Sequence, residues 1–317
     1  MHVQVYLRLD PLVLAQPEFA MPALEHLLAK GSVTKNTEIF EAELCQLFGI
    51  EKQFDWPAAA LSWLGEGNEP QDYFWLYADP VNLQLQRDHF SLNLPAPVPL
   101  APAEAAALSA SLNQHFSGDG LQFFIAASGQ WYMRLDKAMA VATSSLSQAA
   151  GRDIRNFLPT GAAAEQLHNL FNEIQMLLHE HVVNQAREER GEMPINSLWF
   201  SAGGQMPRPQ IQAKPVFSDN ALAKGLARLT GGAALPLPDN LTFFRDEHAS
   251  MLLVLDNNEQ NDTLWFEPML KALRARKIKH LALDIFVHDQ HVHVKLKPRD
   301  MWKFWLKPQP LRAYFQW

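Results

Sequence analysis

Cys45 is the only cysteine in the chain, so no internal disulfide can form and a zinc site built from several thiolates is excluded. No apolar run approaches the roughly 18 residues that a bilayer-spanning helix needs, and no block of like charges forms a polybasic or polyacidic tail. Positive charge is in deficit. The 27 Lys and Arg face 34 Asp and Glu, a net charge of −7, which disfavours nucleic acid as a partner. The opening residues, MHVQVYLRLDPLVL, alternate in character and carry Arg8 and Asp10 where a signal peptide would have an apolar core. They read as a first strand, and a cytoplasmic protein with no membrane association is expected. The sequence has neither a Gly-x-Ser-x-Gly elbow nor a Gly-Lys-Ser/Thr phosphate loop.

What is present is core-forming material: 317 residues, 48% hydrophobic and 19% charged, more than one small domain needs. MPALEHLLAKG puts Pro22 at a helix start and Gly31 at its end, and TEIFEAELCQLFGI repeats the pattern up to Gly49. WPAAALSWLGEG is a third short helix, and DYFWLYADPVNL is an apolar strand ending near Asp79-Pro80. Strands alternating with helices predict a largely parallel sheet covered on both faces, an α/β fold.

A proline-rich joint, LPAPVPLAP, then leads into an Ala-rich helix, and LQFFIAASGQWYMRL reads as a hairpin turning at Ser128-Gly129-Gln130. This change of pattern predicts an inserted α+β subdomain at 86–160 within an α/β core formed by 1–85 and 161–317. A long helix is expected from about 161 to 190, with Leu167, Leu170, Phe171, Ile174, Leu177 and Leu178 as its core stripe. Further on, NALAKGLARLTG and LWFEPMLKALRARK read as helices, SMLLVLD and HLALDIF as strands, and LDIFVHDQHVHVKL as a closing hairpin. The aromatics after it, among them Trp302, Phe304, Trp305 and Trp317, are expected to pack a sheet edge.

Several polar sets qualify as sites. His179 and His181 stand two apart, about 200° around a helix, and cannot chelate one ion from there. His181, Asn184 and Arg187 share a helix face and suit either a cleft wall or helix-end hydrogen bonds. His291 and His293 point the same way on a strand, a metal-compatible spacing. With no carboxylate evident there beyond Asp289, an exposed edge strand is the expected reading. SAGG could cradle an anion in its backbone N–H groups. Arg152, Asp153 and Arg155, clustered in GRDIRNFLPTG, suit carboxylate or phosphate contacts or a surface ion-pair network. None of these forms a readable catalytic set.

The stretch LFNEIQMLLHEHVVNQAREERGEMPINSLWFSAGG resembles a segment of the archaeal-type, cofactor-independent phosphoglycerate mutases. His181, Asn184, Arg187, Gly191, Pro194, Asn196 and the Gly203-Gly204 pair fall in register, with Val182 standing where that family has proline. PALEHLLAKG, the hairpin LQFFIAASGQWYMRL and the strand leading into ADPVNLQLQRD follow in the family's order. The resemblance implies an alkaline-phosphatase-like core, a mixed and mainly parallel sheet between helices. WLYADPVNLQLQRDHFSL, GRDIRNFLPTG, NEIQMLLHEH and INSLWF are also similar to a proteobacterial family labelled regulatory protein, RpfE type.

Active members of the mutase family require two divalent metals and a phosphoryl-carrying serine. Here RLDPLVL keeps Asp10 without the family's glycine, and LVLDNNEQNDTLWFEP keeps Asp256, Glu259 and Asp262 without its histidines. Asp284 and His288 are not adjacent as the family's Asp-His pair is, and no matching serine follows. The resemblance therefore implies a degenerate homologue with no catalytic residue, no metal ligand and no cofactor. It would bind a small phosphorylated or carboxylate ligand, or a protein partner, in a regulatory role. Asp79, Arg87, Arg152, Arg155, His181, Asn184, Arg187 and Asn196 are the expected ligand-binding residues. Two alternatives stand. One is an active mutase or phosphatase holding manganese or zinc through relocated ligands among Asp10, Asp256, Glu259, Asp262, Asp284 and His288. The other is an interaction scaffold with an exposed patch at Trp302 and Trp305.

Overall fold

The computed structural model describes residues 1–86, 90–209, 215–238 and 250–315. The chain divides into two compact units, one formed by residues 1–48 with 210–317 and the other by residues 49–209. The first unit begins with β1 (His2–Arg8), α1 (Pro11–Leu14), α2 (Pro22–Lys30), β2 (Ser32–Thr37) and α3 (Phe40–Leu47). The second holds α4 (Ala58–Gly65), β3 (Phe74–Val81), β4 (Leu83–Leu85), β5 (Phe90–Leu92), α5 (Pro102–His115), β6 (Leu121–Ile125) and β7 (Trp131–Leu135). It continues with α6 (Leu146–Ala149), α7 (Ala164–His179), α8 (Val182–Glu189) and β8 (Ser197–Gly204). The chain then returns to the first unit with β9 (Val216–Ser218), α9 (Ala221–Leu229), β10 (Ala234–Leu235), β11 (Ser250–Leu255), α10 (Glu267–Arg274), β12 (His280–Val287) and β13 (Gln290–Leu296).

The first unit is built on a seven-stranded sheet in the order β10-β9-β11-β1-β12-β13-β2. The first five strands of that order run parallel, and β13 and β2 are antiparallel additions. This is the expected mixed, mainly parallel α/β sheet. Alternation along the strands sorts the two faces. Val3, Val5 and Leu7 of β1, with Leu281, Leu283 and Ile285 of β12, meet Leu24, Leu27 and Leu28 of α2 and Met269 and Leu273 of α10 in the main core. Gln4, Tyr6 and Arg8 point to the opposite face, where Phe40 of α3 packs edge-on against Phe286.

The second unit has its own sheet, β6-β7-β3-β8, antiparallel throughout. Leu108 and Leu112 of α5, with Leu167, Ile174 and Leu178 of α7, bury one face. On the other, Trp63 stacks on Trp75 with ring centroids 4.9 Å apart. Among the described residues no helix is long and apolar enough to cross a membrane.

Three expectations are revised. The insert expected at 86–160 lies inside a larger unit that starts at residue 49 and ends at 209. The reason is pairing: β3, expected in the parallel sheet, lies antiparallel between β7 and β8, so the strands flanking the insert belong with it. The single helix expected over 161–190 is two, because His181 adopts an extended backbone and caps α8, its Nδ1 accepting from Val183 N at 3.2 Å. Val182 is then the first helical residue, the position most tolerant of the family's proline. Finally, β13 is no edge strand, because β2 pairs along its outer side from Gln290 to Lys295.

Candidate functional site

Polar side chains from α8 and from just after the end of β3 converge on the segment 193–196 that leads into β8. Arg187 Nε donates to Met193 O at 2.8 Å, and Asn82 Nδ2 donates to Pro194 O at 2.8 Å. The buried Asn184 amide donates to Leu178 O and Ile195 O at 2.7 and 2.6 Å and accepts from Ile195 N at 2.8 Å. Asn196 bridges to Leu83, accepting from its N at 2.7 Å and donating to its O at 2.8 Å. Arg187 also meets Glu104 at 2.6 Å, and Arg190 meets the other oxygen of the same carboxylate at 2.5 Å. The structure thus brings Asn184, Arg187 and Asn196 together, with most of their bonding capacity directed at backbone.

The remaining expected residues stand elsewhere in this unit. His181 Nε2 lies 2.8 Å from Ser111 Oγ, and burial lowers the imidazole's pKa. Asp79 is buried and accepts from Gln130 Nε2 at 2.7 Å. Arg155 forms a two-pronged pair with Asp153 at 2.6–2.8 Å, and Arg152 lies over the Phe157 ring at 4.6 Å. Arg87 lies outside the described residues. Gly203 and Gly204 fall within β8, and a Cβ on Gly204 would come within 2.5 Å of Pro57, so close packing accounts for the glycine there.

Asp10, Asp256 and Asp262, three of the carboxylates that the active-mutase alternative would use, have separate duties. Asp10 caps α1, accepting from Leu12 N at 2.8 Å. Asp262 accepts from Ala23 N and Leu24 N at the start of α2, at 3.0 and 2.9 Å. Asp256 is held by Arg8 at 2.9 Å and by Asn220 Nδ2 at 2.9 Å. These three do not assemble with one another into the pair of metal sites that the mutase mechanism needs.

Sequence reasoning missed one constellation. Asp284 Oδ1 lies 2.9 Å from His291 Nε2 and 2.6 Å from His293 Nδ1. Gln4 Nε2 approaches Asp284 Oδ2 at 3.3 Å. Glu43 Oε1 of α3 is 3.6 Å from His291 Nδ1. Burial opposes ionisation of Asp284, but the hydrogen bonds from both histidines and from Gln4, with the charge of His293, hold its carboxyl at about 2. Burial, helped by the charge of Asp284, raises Glu43 against the pull of His291. Burial and Asp284 likewise push the Tyr6 hydroxyl far above its ordinary value. Among the described residues this is the one group of three or more His, Cys, Asp or Glu side chains spaced to hold a metal ion. The His-x-His spacing was legible. The carboxylate was not, because Asp284 faces His293 only across the β12–β13 register.

No protein-family model matches the chain. It is similar to a probable 2,3-bisphosphoglycerate-independent phosphoglycerate mutase of Geobacter sulfurreducens, with 39% identity over 59 residues. That match spans 19% of this chain and 15% of the relative's length. Among solved structures, a cofactor-independent phosphoglycerate mutase of Thermoplasma acidophilum aligns at 14% identity over 99% of this chain and 95% of that one, with a TM-score of 0.44. A protein of Pyrococcus horikoshii aligns at 13% identity over 93% and 87%, with a TM-score of 0.48.

The aromatic tail departs from expectation. Trp302, Phe304 and Trp305 are 72%, 83% and 65% exposed and do not pack a sheet edge, whereas Leu311 and Phe315 are buried. The buried Lys30 ammonium donates to Lys303 O and Leu306 O at 2.7 and 2.5 Å, anchoring the backbone that presents them.

Proposed function

We propose that this chain is a phosphoglycerate-mutase-like protein that acts by binding a protein partner and does not transfer phosphoryl groups. The regulatory role to which the RpfE-type resemblance points fits this reading. The observation that carries it is the aromatic segment from Trp302 to Leu306, displayed in solvent and anchored from behind by Lys30. Clustered exposed aromatics are the side chains that dominate protein interfaces, and a soluble chain rarely leaves several of them open without use. A small anion is the less favoured ligand, because Arg187, Arg190 and Arg155 are each already matched to a carboxylate. The absence of turnover is supported by Asp10, Asp256 and Asp262, which serve as caps and an ion-pair partner.

The test starts from a partner captured on the immobilised chain, then purified and titrated against it. Trp302→Ser with Trp305→Ser is expected to weaken that purified complex at least tenfold while leaving the thermal midpoint unchanged. Equal affinity of the double variant overturns the assignment, as does binding only to anionic vesicles. Saturable phosphoglycerate mutase turnover with added manganese or zinc overturns the non-catalytic part.

A further inference from the structure

We infer that Asp284, His291 and His293 form a site for one zinc-type divalent cation, with Gln4 and Glu43 orienting the ligands. The inference is independent of the aromatic segment and of the mutase resemblance.

Strand geometry assembles the site. His291 and His293 are two apart on β13 and therefore share a face. Asp284 sits directly opposite His293 on β12, and Tyr6 of β1 sits opposite Asp284. Two imidazole nitrogens and one carboxylate oxygen converge within 4.8 Å of one another. Two histidines with one carboxylate are a ligand set zinc uses when it keeps a further position open. Seating an ion at bond lengths of about 2.1 Å asks the three atoms to spread by roughly half an ångström. The His293 side chain is 24% exposed whereas those of Asp284 and His291 are buried, so the open position faces solvent.

The surrounding groups are arranged as a metal's outer partners are. Gln4 engages Asp284 Oδ2 and leaves Oδ1 to the ion. Phe286 stacks on His291 at 4.3 Å and 10°, fixing the ring plane. His291 Nδ1 is buried with no hydrogen-bond partner, and the nearest carboxylate is Glu43 at 3.6 Å. A neutral His291 that donates from Nε2 to Asp284 turns a bare Nδ1 lone pair toward that carboxylate. An ion on Nε2 moves the ring proton to Nδ1, where it points at Glu43, and the mismatch disappears.

The experiment uses the full chain without an oligohistidine tag, stripped with a chelator and titrated with zinc by calorimetry and with cobalt(II) by visible absorption. One equivalent is expected, with the intense visible bands of four- or five-coordinate cobalt(II). His293→Ala and Asp284→Asn are each expected to weaken binding at least 100-fold, and Glu43→Gln about tenfold. His179→Ala, on α7 of the second unit, is expected to leave the titration unchanged. Should Asp284→Asn fail to fold, His293→Ala, at a side chain only 24% exposed, decides, its fold checked by circular dichroism. A wild-type chain that takes up no zinc or cobalt overturns the inference, as does full binding by His293→Ala.

Discussion

Two buried polar clusters, one around Asn184 and one around Asp284, satisfy their members differently. In the second unit, Asn184 satisfies three backbone groups and Arg187 is matched to Met193 O and Glu104. In the first, Asp284 gathers two histidines on a single oxygen, and one nitrogen of the buried His291 is left without a partner. The first arrangement closes its hydrogen-bonding account within the chain, and the second leaves it open. A polar group fully used by backbone holds a turn in place, whereas the unpartnered nitrogen of His291 sits beside the two atoms that the proposed cation site would use.

Substitutions can break that contrast, and the largest effect belongs to the closed cluster. Asn184→Ala strands Leu178 O, Ile195 O and Ile195 N in the interior and is expected to cost about 3 kcal/mol in denaturant unfolding. A loss below about 1 kcal/mol would show that water replaces the amide, and the clamp would not be closed. Next comes Arg187→Met, which keeps the volume but leaves Glu104 without its buried partner. An expected cost of about 2 kcal/mol reflects the partial exposure of that carboxylate. If stability holds and stabilisation by a phosphorylated acid is lost instead, Arg187 is a ligand-binding residue as the sequence expectation has it. The smallest effect is expected at the open cluster. His293→Ala should change the stability of the metal-free chain by less than about 1 kcal/mol, with its consequence confined to cation binding. A large loss there would make the triad a structural clamp like the one around Asn184.

Legibility followed the range of the interaction. Helix α2 was readable from Pro22 to Gly31 and the β6–β7 hairpin from its turn at Gly129, because caps and turns act over a few residues. Strand β2, with the sequence SVTKNT and an almost wholly exposed surface, carries no apolar alternation, so neither it nor the cover it gives to β13 is legible in the sequence. The break at Glu180-His181 was masked because the apolar stripe of α7 runs up to it and the polar face continues past it in α8. The spacing of Asn184 and Arg187 was read correctly as one shared face. Whether that face met solvent or backbone depended on segment 193–196, which periodicity does not place.

The sequence by itself determined the α/β character and the positions of most helices. It also determined the His-x-His pair, since alternation in a strand is set by the backbone. Only the tertiary structure decided that β3 and β8 belong to a separate antiparallel sheet, that Asp284 meets His291 and His293, and that Trp302 and Trp305 stand in solvent. Each of these depends on which strand lies beside which, or on which face finds cover. Such pairings join residues distant in the chain, and no local propensity specifies them.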